Sequence, residues 1–176
     1  MILVIDGRRI RTNSFHGDYS RDFMHFQKII NPTAQFFDFL PIDWQNELLS
    51  QWNELSETAE VYGLYKDDSL NNLTTMGIIF KTQLPRLTPF EMTIQNALSS
   101  YLYIGYVYTM PQFRGKGYAS LWFDALKLHF PKVNFWLTIE EPELAEFYIK
   151  NDFKLFNGPR FGDTSGEICL ILKQDG

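Results

Sequence analysis

The chain has 176 residues, of which 45% are hydrophobic and 21% charged, a composition typical of one folded soluble domain and not of a disordered segment. Its formal net charge of −5 disfavours nucleic acid as a partner, because phosphates are bound by Lys and Arg, and mildly favours cationic partners such as amines. The single cysteine, Cys169, excludes an internal disulfide and a CxxC metal site, and we expect it to be a buried thiol in a strand.

Nothing in the sequence indicates a membrane segment. No apolar stretch approaches the ~18 residues that a transmembrane helix needs. The apolar start, residues 1–5, meets the charged Asp6 too soon for a signal peptide. We therefore expect a single domain over residues 1–176 that is located in the cytoplasm and does not bind a membrane.

The first third of the chain predicts one strand followed by helices. Residues 2–5 read as a strand, and residues 20–56 as helical on either side of a break at Asn31-Pro32. Asp43, just after Pro41, is placed to cap the second helix. The helical spacing is that of Phe23, Phe26 and Ile29 before the break, and of Trp44, Leu48 and Trp52 after it.

The rest of the chain alternates strands with helices. The predicted strands are 61–65, 74–81, 101–110, 133–139, 153–156 and 168–172. The predicted helices are a short one over 90–98, one over 118–130, and one from Pro142 to about Lys150. This order predicts an α/β (α+β) fold, in which helices pack on a mixed sheet.

The most informative stretch follows a buried strand and opens a helix. It reads Gln112-Phe113-Arg114-Gly115-Lys116-Gly117-Tyr118-Ala119. The first N–H groups of a helix have no acceptor within the helix and carry positive partial charge, so this place suits an anion. Gly115 and Gly117 remove Cβ atoms that would hold a pyrophosphate away, and Arg114 and Lys116 add positive charge.

Three other interpretations of this loop are a dinucleotide fingerprint, a P-loop and a tight turn without a ligand. A dinucleotide fingerprint needs three glycines and an acidic residue about 20 positions later, and only two glycines fit. A P-loop is excluded, because Lys116 is followed by Gly117 and not by Ser or Thr. A tight turn that binds nothing stays open.

The loop resembles the signature of the GNAT family of N-acetyltransferases, Gln/Arg-x-x-Gly-x-Gly/Ala. The run from Gln112 to Gly117 matches it, and the run from Arg114 to Ala119 matches it again in an overlapping register. A second likeness is the later run of a short helix containing Tyr148 and ending before Phe153. The resemblance is good over residues 101–156.

The resemblance implies a GNAT-like central mixed, mostly antiparallel sheet flanked by helices, with acetyl-CoA as the acetyl donor. It implies that a bulge splays two strands and exposes main-chain groups, and that N–H groups near Thr109 or Met110 polarise the thioester carbonyl. Tyr148 would protonate the leaving thiolate. The implied cofactor-binding residues are Tyr108, Thr109, Met110, Gln112, Phe113, Arg114, Gly115, Lys116, Gly117, Tyr118, Ala119 and Glu141.

Several departures from the family pattern matter for the site, among them Thr109, where an aliphatic residue is usual. Glu141 stands where the family often has Asn, and Asp152 stands where it usually has Gly. The general base is unassigned, because Tyr101 occupies the place of the glutamate that some members use. The candidate bases by region are Glu60, Glu91 and Glu140, and the candidate acceptor-side aromatics are Phe23, Trp44 and Trp52.

Residues and resemblance together predict an acetyl-CoA-dependent N-acetyltransferase, in which an unidentified amine attacks the thioester directly. The acceptor is a small-molecule or peptide amine, and a homodimer is left open. The alternatives are a non-catalytic acyl-CoA-binding or regulatory module on the same fold, and an interaction domain whose loop binds nothing. No metal site is expected, because His16, His25 and His129 lack ligand spacing.

Overall fold

The computed structural model describes residues 1–5, 7–11, 23–66, 72–158 and 166–174, and nine strands in these ranges form one sheet. The strands are β1 (Ile2–Ile5), β2 (Arg8–Arg11), β3 (Phe23–Ile29), β4 (Ala59–Lys66), β5 (Leu73–Phe80), β6 (Leu102–Thr109), β7 (Phe135–Ile139), β8 (Lys154–Leu155) and β9 (Ile168–Leu172). Their order across the sheet is β2-β1-β3-β4-β5-β6-β7-β9-β8. Only the pairs β1–β3 and β6–β7 are parallel among these strands, so the predicted mixed, mostly antiparallel sheet is confirmed.

Helices cover the sheet on both faces. The helices are α1 (Ile42–Leu49), α2 (Trp52–Leu55), α3 (Pro89–Ala97), α4 (Tyr118–His129) and α5 (Ala145–Lys150). Helices α4 and α5 pack on one face, and α1, α2 and α3 pack on the other. Strand β7 serves both layers: Phe135, Leu137 and Ile139 join the first layer, and Trp136 joins the second. This alternation is the one that the period of two in the sequence predicts.

The prediction of a helix before Asn31 is wrong, because residues 23–29 form strand β3. The apolar spacing that favoured a helix also fits a strand, since Met24 and Phe26 are buried on one face while His25 and Gln27 are half-buried. Strand β3 pairs with β1 on one side and with β4 on the other. Over seven residues the helical and the strand spacing of apolar residues are hard to tell apart. The hydrogen bonds to two neighbouring strands make this segment a strand. Residues 20–22 lie outside the described residues.

Smaller corrections concern element ends. The predicted helix after Pro41 is two helices, α1 and α2, and Asp43 lies in the first turn of α1 without acting as its cap. The helix predicted from Pro142 begins as a short 3-10 helix over Pro142–Leu144 and continues as α5. The strand predicted over 153–156 shortens to β8. The other predicted strands and helices are confirmed within one or two residues, and Cys169 is buried in β9.

A β-bulge interrupts the pairing of β5 with β6. Met76 pairs with Tyr108 and Ile78 with Gly105, so Tyr106 and Val107 together oppose the single residue Gly77. A Cβ on Gly77 would lie 2.5 Å from the Trp122 indole, which packs directly on this strand. Trp122 Nε1 donates to the Tyr62 carbonyl at 3.0 Å. The sheet is therefore held against α4 at the point where β6 bulges.

The Glu60 carboxylate on β4 is the centre of an ion-pair cluster and makes stability depend on pH. Burial alone would raise its pKa, but hydrogen bonds from Lys28, Lys81 and Tyr62 outweigh it and lower the pKa from 4.5 to about 2. The Lys28 and Lys81 ammonium nitrogens lie 2.6 and 2.8 Å from its oxygens. A depressed pKa stabilises the fold at pH values above 4.5, and this stabilisation disappears as the pH falls toward 2.

We expect Glu60→Gln to lower the free energy of unfolding at neutral pH, and its difference from the wild type to shrink as the pH falls through this window. Urea denaturation at neutral pH and at about pH 3 measures both values. Glu54→Gln, which alters an exposed carboxylate on α2, is the control and should change neither. A constant difference at both pH values would contradict the assignment.

Candidate functional site

Strands β6 and β7 part soon after they begin. Their pairing within the described residues is limited to Leu102 with Phe135 and Tyr103 with Trp136. Beyond this point the bulge in β6 turns the chain, and Tyr106 takes a left-handed φ of 54°. A cavity of about 430 Å³ opens between the two strands. The splayed strands that the resemblance implies are therefore present.

The cavity contains the predicted general acid. Tyr148, on α5, lines it together with Val107 on β6 and Leu137 on β7. The Tyr148 ring packs edge-on against Phe123 and Phe153, at 5.7 and 5.6 Å between ring centroids. Burial raises the pKa of Tyr148 to about 12, so the phenol keeps its proton at neutral pH. Within the described part of the chain its hydroxyl has no hydrogen-bond partner, so the proton is available to a bound molecule.

The turn after α5 holds this tyrosine in place. The Phe153 N–H donates to the Tyr148 carbonyl at 3.1 Å, and the Asn151 side chain donates to the Phe147 carbonyl at 2.8 Å. Asp152 adopts a φ of 72°, a conformation that glycine takes with less strain. Its carboxylate pairs with Lys127 on α4. Asp152 thus fills the usual glycine position of the family pattern with the expected left-handed backbone.

The glycine loop joins the end of β6 to the start of α4. A short 3-10 helix, Pro111–Phe113, leads into Gly115 and Gly117, whose φ values are 69° and 79°. A Cβ on Gly115 would meet no atom within 4 Å, so backbone conformation and not lack of space calls for glycine there. Gly117 is the N-cap of α4 and has no side chain to cap it. The N-terminus of α4 is therefore open to an anion.

Positive charge and aromatic surface lie beside this helix end. Arg114 Nε donates to the Thr109 carbonyl at 3.1 Å, and its guanidinium carbon lies 5.1 Å from the centre of the Tyr108 ring. Lys116 Nζ donates to the Gln112 carbonyl at 2.9 Å. Both cations are exposed. Tyr108 and Thr109 at the end of β6 therefore form one surface with the loop residue Arg114.

The remaining predicted cofactor residues lie in three places: at the start of α4, in the cavity, and in the sheet. Phe113 packs edge-on against the buried Tyr118 at 5.4 Å, and Ala119 lies in the first turn of α4. The exposed Glu141 lines the cavity at the end of β7. The buried Met110 donates its N–H to the Thr74 carbonyl at 2.9 Å. That bond engages the Met110 N–H in the sheet, so the prediction that it polarises a thioester carbonyl does not fit.

The three candidate bases lie in two different cavities. Glu91 and Glu140 line the cavity with Tyr148. Glu60 lies in a different cavity of about 800 Å³, next to Lys28 and Lys81, and its lowered pKa makes it a weak base.

The candidate acceptor-side aromatics separate as well. Trp44 lines the cavity that holds Tyr148. Trp52 borders the larger cavity, and Phe23 lies toward the β2 edge of the sheet, with its ring centre 5.8 Å from the Arg9 guanidinium carbon.

Glu91 was predicted only as a candidate base by its region, and its partners Tyr103, Thr138 and Thr88, which also line the cavity, were not predicted as site residues. Glu91 Oε1 accepts hydrogen bonds from the Tyr103 hydroxyl at 3.2 Å and the Thr138 hydroxyl at 2.5 Å. Glu91 Oε2 accepts the Thr88 N–H at 2.9 Å, which completes a capping box at the start of α3. The Thr-x-x-Glu capping pattern was the signal available in the sequence. It marks the helix start but not the strands that the carboxylate reaches.

Two kinds of feature are absent from the described residues. No group of three or more His, Cys, Asp or Glu side chains there could hold a metal ion. No helix among them is long and apolar enough to cross a membrane.

Comparisons with known proteins bear on the fold. Neither a protein-family model nor a curated protein matches the sequence. Among solved structures, an acetyltransferase of Bacillus subtilis in complex with CoA is 14% identical, with a TM-score of 0.54 over 85% of this chain and 98% of that chain. An N-acetyltransferase of the same organism, in complex with coenzyme A, is 16% identical, with a TM-score of 0.54 over 85% and 96%.

A third similar structure carries the family name that the loop suggests. It is a Bacteroides thetaiotaomicron protein assigned to the GNAT family of acetyltransferases, 15% identical, with a TM-score of 0.54 over 86% of this chain and 88% of that chain. At such identities the likeness concerns the fold. The order of strands, the bulge in β6 and the parting of β6 from β7 together with these matches lead to one conclusion: the chain has the fold of the GNAT acetyltransferases.

Proposed function

We propose that this protein is an N-acetyltransferase that transfers an acetyl group from acetyl-CoA to an amine. The observation that carries the proposal is the cavity between β6 and β7, which Tyr148 lines, together with the glycine loop that joins the end of β6 to α4. The similar structures solved with coenzyme A support the same donor. The proposal covers one domain over residues 1–176 and a cytoplasmic location.

The loop residues fit the charge and shape of a diphosphate. Gly115 and Gly117 keep side chains away from the N-terminus of α4, whose N–H groups can bind phosphate oxygens. Arg114 and Lys116 supply two cations next to that end. We assign diphosphate binding to residues 112–119, and the pantetheine arm to the end of β6 at Tyr108 and Thr109.

The parting of the strands fits an extended, amide-containing chain. From Ile104 onward β6 does not pair with β7, so its main-chain groups on that side face the cavity. An extended ligand can hydrogen-bond to such groups as a strand would. Glu141, at the end of β7, is assigned to the same channel.

The reaction needs a nucleophile, a proton donor and a proton acceptor. Acetyl-CoA supplies an acyl group activated as a thioester. The neutral amine forms the C–N bond, the C–S bond breaks, and the sulfur leaves with the electron pair. Tyr148, which is protonated at neutral pH and has no hydroxyl partner among the described residues, would give its proton to that sulfur. The proton lost by the amine passes to solvent, which restores the tyrosine.

Calorimetric titration tests the cofactor first. We expect the purified protein to bind acetyl-CoA, and to bind ATP and NAD far more weakly, because only acetyl-CoA adds a pantetheine arm for the parted strands to the diphosphate for the loop. Amine-dependent release of CoA then separates an enzyme from a binding module. Failure to bind acetyl-CoA would mean that the Gly115 and Gly117 loop is a turn only, and the proposed function would be wrong.

A further inference from the structure

The cavity between β6 and β7 has two unlike halves. On the side of α4 and α5 it is lined by Tyr148 and by the apolar strand residues Ile104, Leu137 and Ile139. On the side of α1 and α3 lies what we call the acidic half, formed by Trp44, Glu47, Glu91, Tyr103 and Tyr106. The first half holds the proposed proton donor, so the second half is left for the acceptor.

Charge in the lining of the cavity is strongly one-sided. Five carboxylates face it, with one guanidinium, that of Arg86. The carboxylates belong to Glu47, Glu91, Glu140, Glu141 and Glu167. They come from four separate parts of the chain, so helix α1, helix α3, the end of β7 and the start of β9 all bring negative charge to one place. Such a cavity attracts cations and repels anions.

Glu91 is the fixed charge at the base of the acidic half. It is only 7% exposed, and its hydrogen-bond donors are all neutral: Tyr103, Thr138 and the Thr88 N–H. Tyr103 is the last β6 residue that pairs with β7, so the carboxylate lies where the strands part. In the described part of the chain Glu91 forms no ion pair. A buried carboxylate without a cation is costly, and a cationic ligand would offset that cost.

Aromatic rings and a second carboxylate stand at the rim. The Trp44 and Tyr106 rings meet edge-on at 5.7 Å between centroids. Burial, and then the adjacent Glu47 carboxylate, raises the pKa of Tyr106. Glu47 itself is exposed on α1. Ring faces beside a carboxylate suit an ammonium group, which gains from both.

We propose that the acceptor is an amine carrying a second positive charge, a diamine or longer polyamine. The reacting nitrogen lies at the parting of the strands near Glu91, and the second ammonium lies at the rim against Glu47, Trp44 and Tyr106. The inference rests on the proposed function and extends it to the class of acceptor. Tyr148, whose hydroxyl has no partner within the described residues, lines the same cavity.

Three probes of equal chain length test the proposal. Butane-1,4-diamine, butylamine and 4-aminobutanoate are titrated into the protein by calorimetry, with and without CoA, and each is assayed for CoA release from acetyl-CoA. We expect the diamine to bind about 10-fold or more tightly than butylamine, and the aminobutanoate to bind most weakly. Glu47→Gln should weaken binding of the diamine about 5- to 10-fold. Butylamine has no second ammonium group, so its affinity should stay the same.

The control variant is Glu54→Gln, which removes an equal charge from α2, outside this cavity. It should keep the full preference for the diamine. Equal binding of diamine and butylamine, or an equal loss for both in Glu47→Gln, would overturn the proposal. Binding of the amines is measured with and without CoA. If the protein binds the diamine preferentially but does not bind acetyl-CoA, only the proposed function is overturned.

Discussion

Replacing Tyr148 by Phe should lower turnover about 100-fold, with little change in affinity for acetyl-CoA. The substitution removes one oxygen atom from a ring that stays packed between Phe123 and Phe153. The phenol is the proton donor for the leaving sulfur, and its high pKa keeps the proton in place until the thiolate forms. Steady-state release of CoA at saturating acetyl-CoA measures the effect, and calorimetry measures the affinity.

A second tyrosine provides the control for this substitution. Tyr65→Phe removes a phenol from β4, away from the cavity, and should leave turnover unchanged. Since the Tyr148 hydroxyl has no partner within the described residues, the variant should fold as the wild type does. Wild-type turnover in Tyr148→Phe would remove the residue from the mechanism and favour a binding module, or a mechanism in which the thiolate takes its proton from water.

Replacing Gly117 by Val should weaken acetyl-CoA binding 10-fold or more. Gly117 has a φ of 79°, which a β-branched residue adopts only with strain, and it is the N-cap of α4. The valine would turn the backbone or place methyl groups beside the N–H groups that bind the diphosphate. Calorimetric titration with acetyl-CoA measures the loss, and Gly117→Ala should give a smaller one.

A matched variant distinguishes the effect of backbone strain from the loss of the diphosphate site. Gly7 has nearly the same φ, 77°, and a Cβ there would meet nothing within 4 Å. Gly7→Val should therefore lower the free energy of unfolding by ~1–2 kcal/mol, as the strain in Gly117→Val does, without changing the affinity for acetyl-CoA. Equal loss of affinity in both variants, or no loss in Gly117→Val, would contradict diphosphate binding at the loop.

Part of the site was predictable because its signal is local. The two glycines, the cations between and before them, and the helix that follows lie within eight consecutive residues, 112–119. Left-handed backbone at Gly115 and Gly117 follows from the residues themselves. Tyr148 needed the resemblance, because a tyrosine on an amphipathic helix is often only part of the core.

Glu91 shows what local signals miss. Its capping box with Thr88 is encoded within four residues, and the helix start was predicted almost correctly. Its contacts with Tyr103 and Thr138 reach 12 and 47 residues along the chain. Nothing in the sequence pattern distinguishes a capping glutamate that faces solvent from one that lies in a cavity.

The sequence by itself determined the order of most strands and helices, the glycine loop at the start of α4, and the acidic balance of the chain. These follow from periodicity, backbone preference and composition, which act over a few residues. Only the tertiary structure decided that residues 23–29 are a strand, that β6 and β7 part after two pairs, and that Glu47, Glu91 and Tyr148 line one cavity. Strand pairing and the packing of helices on both faces bring together residues far apart in the chain, and no local pattern records which partners meet.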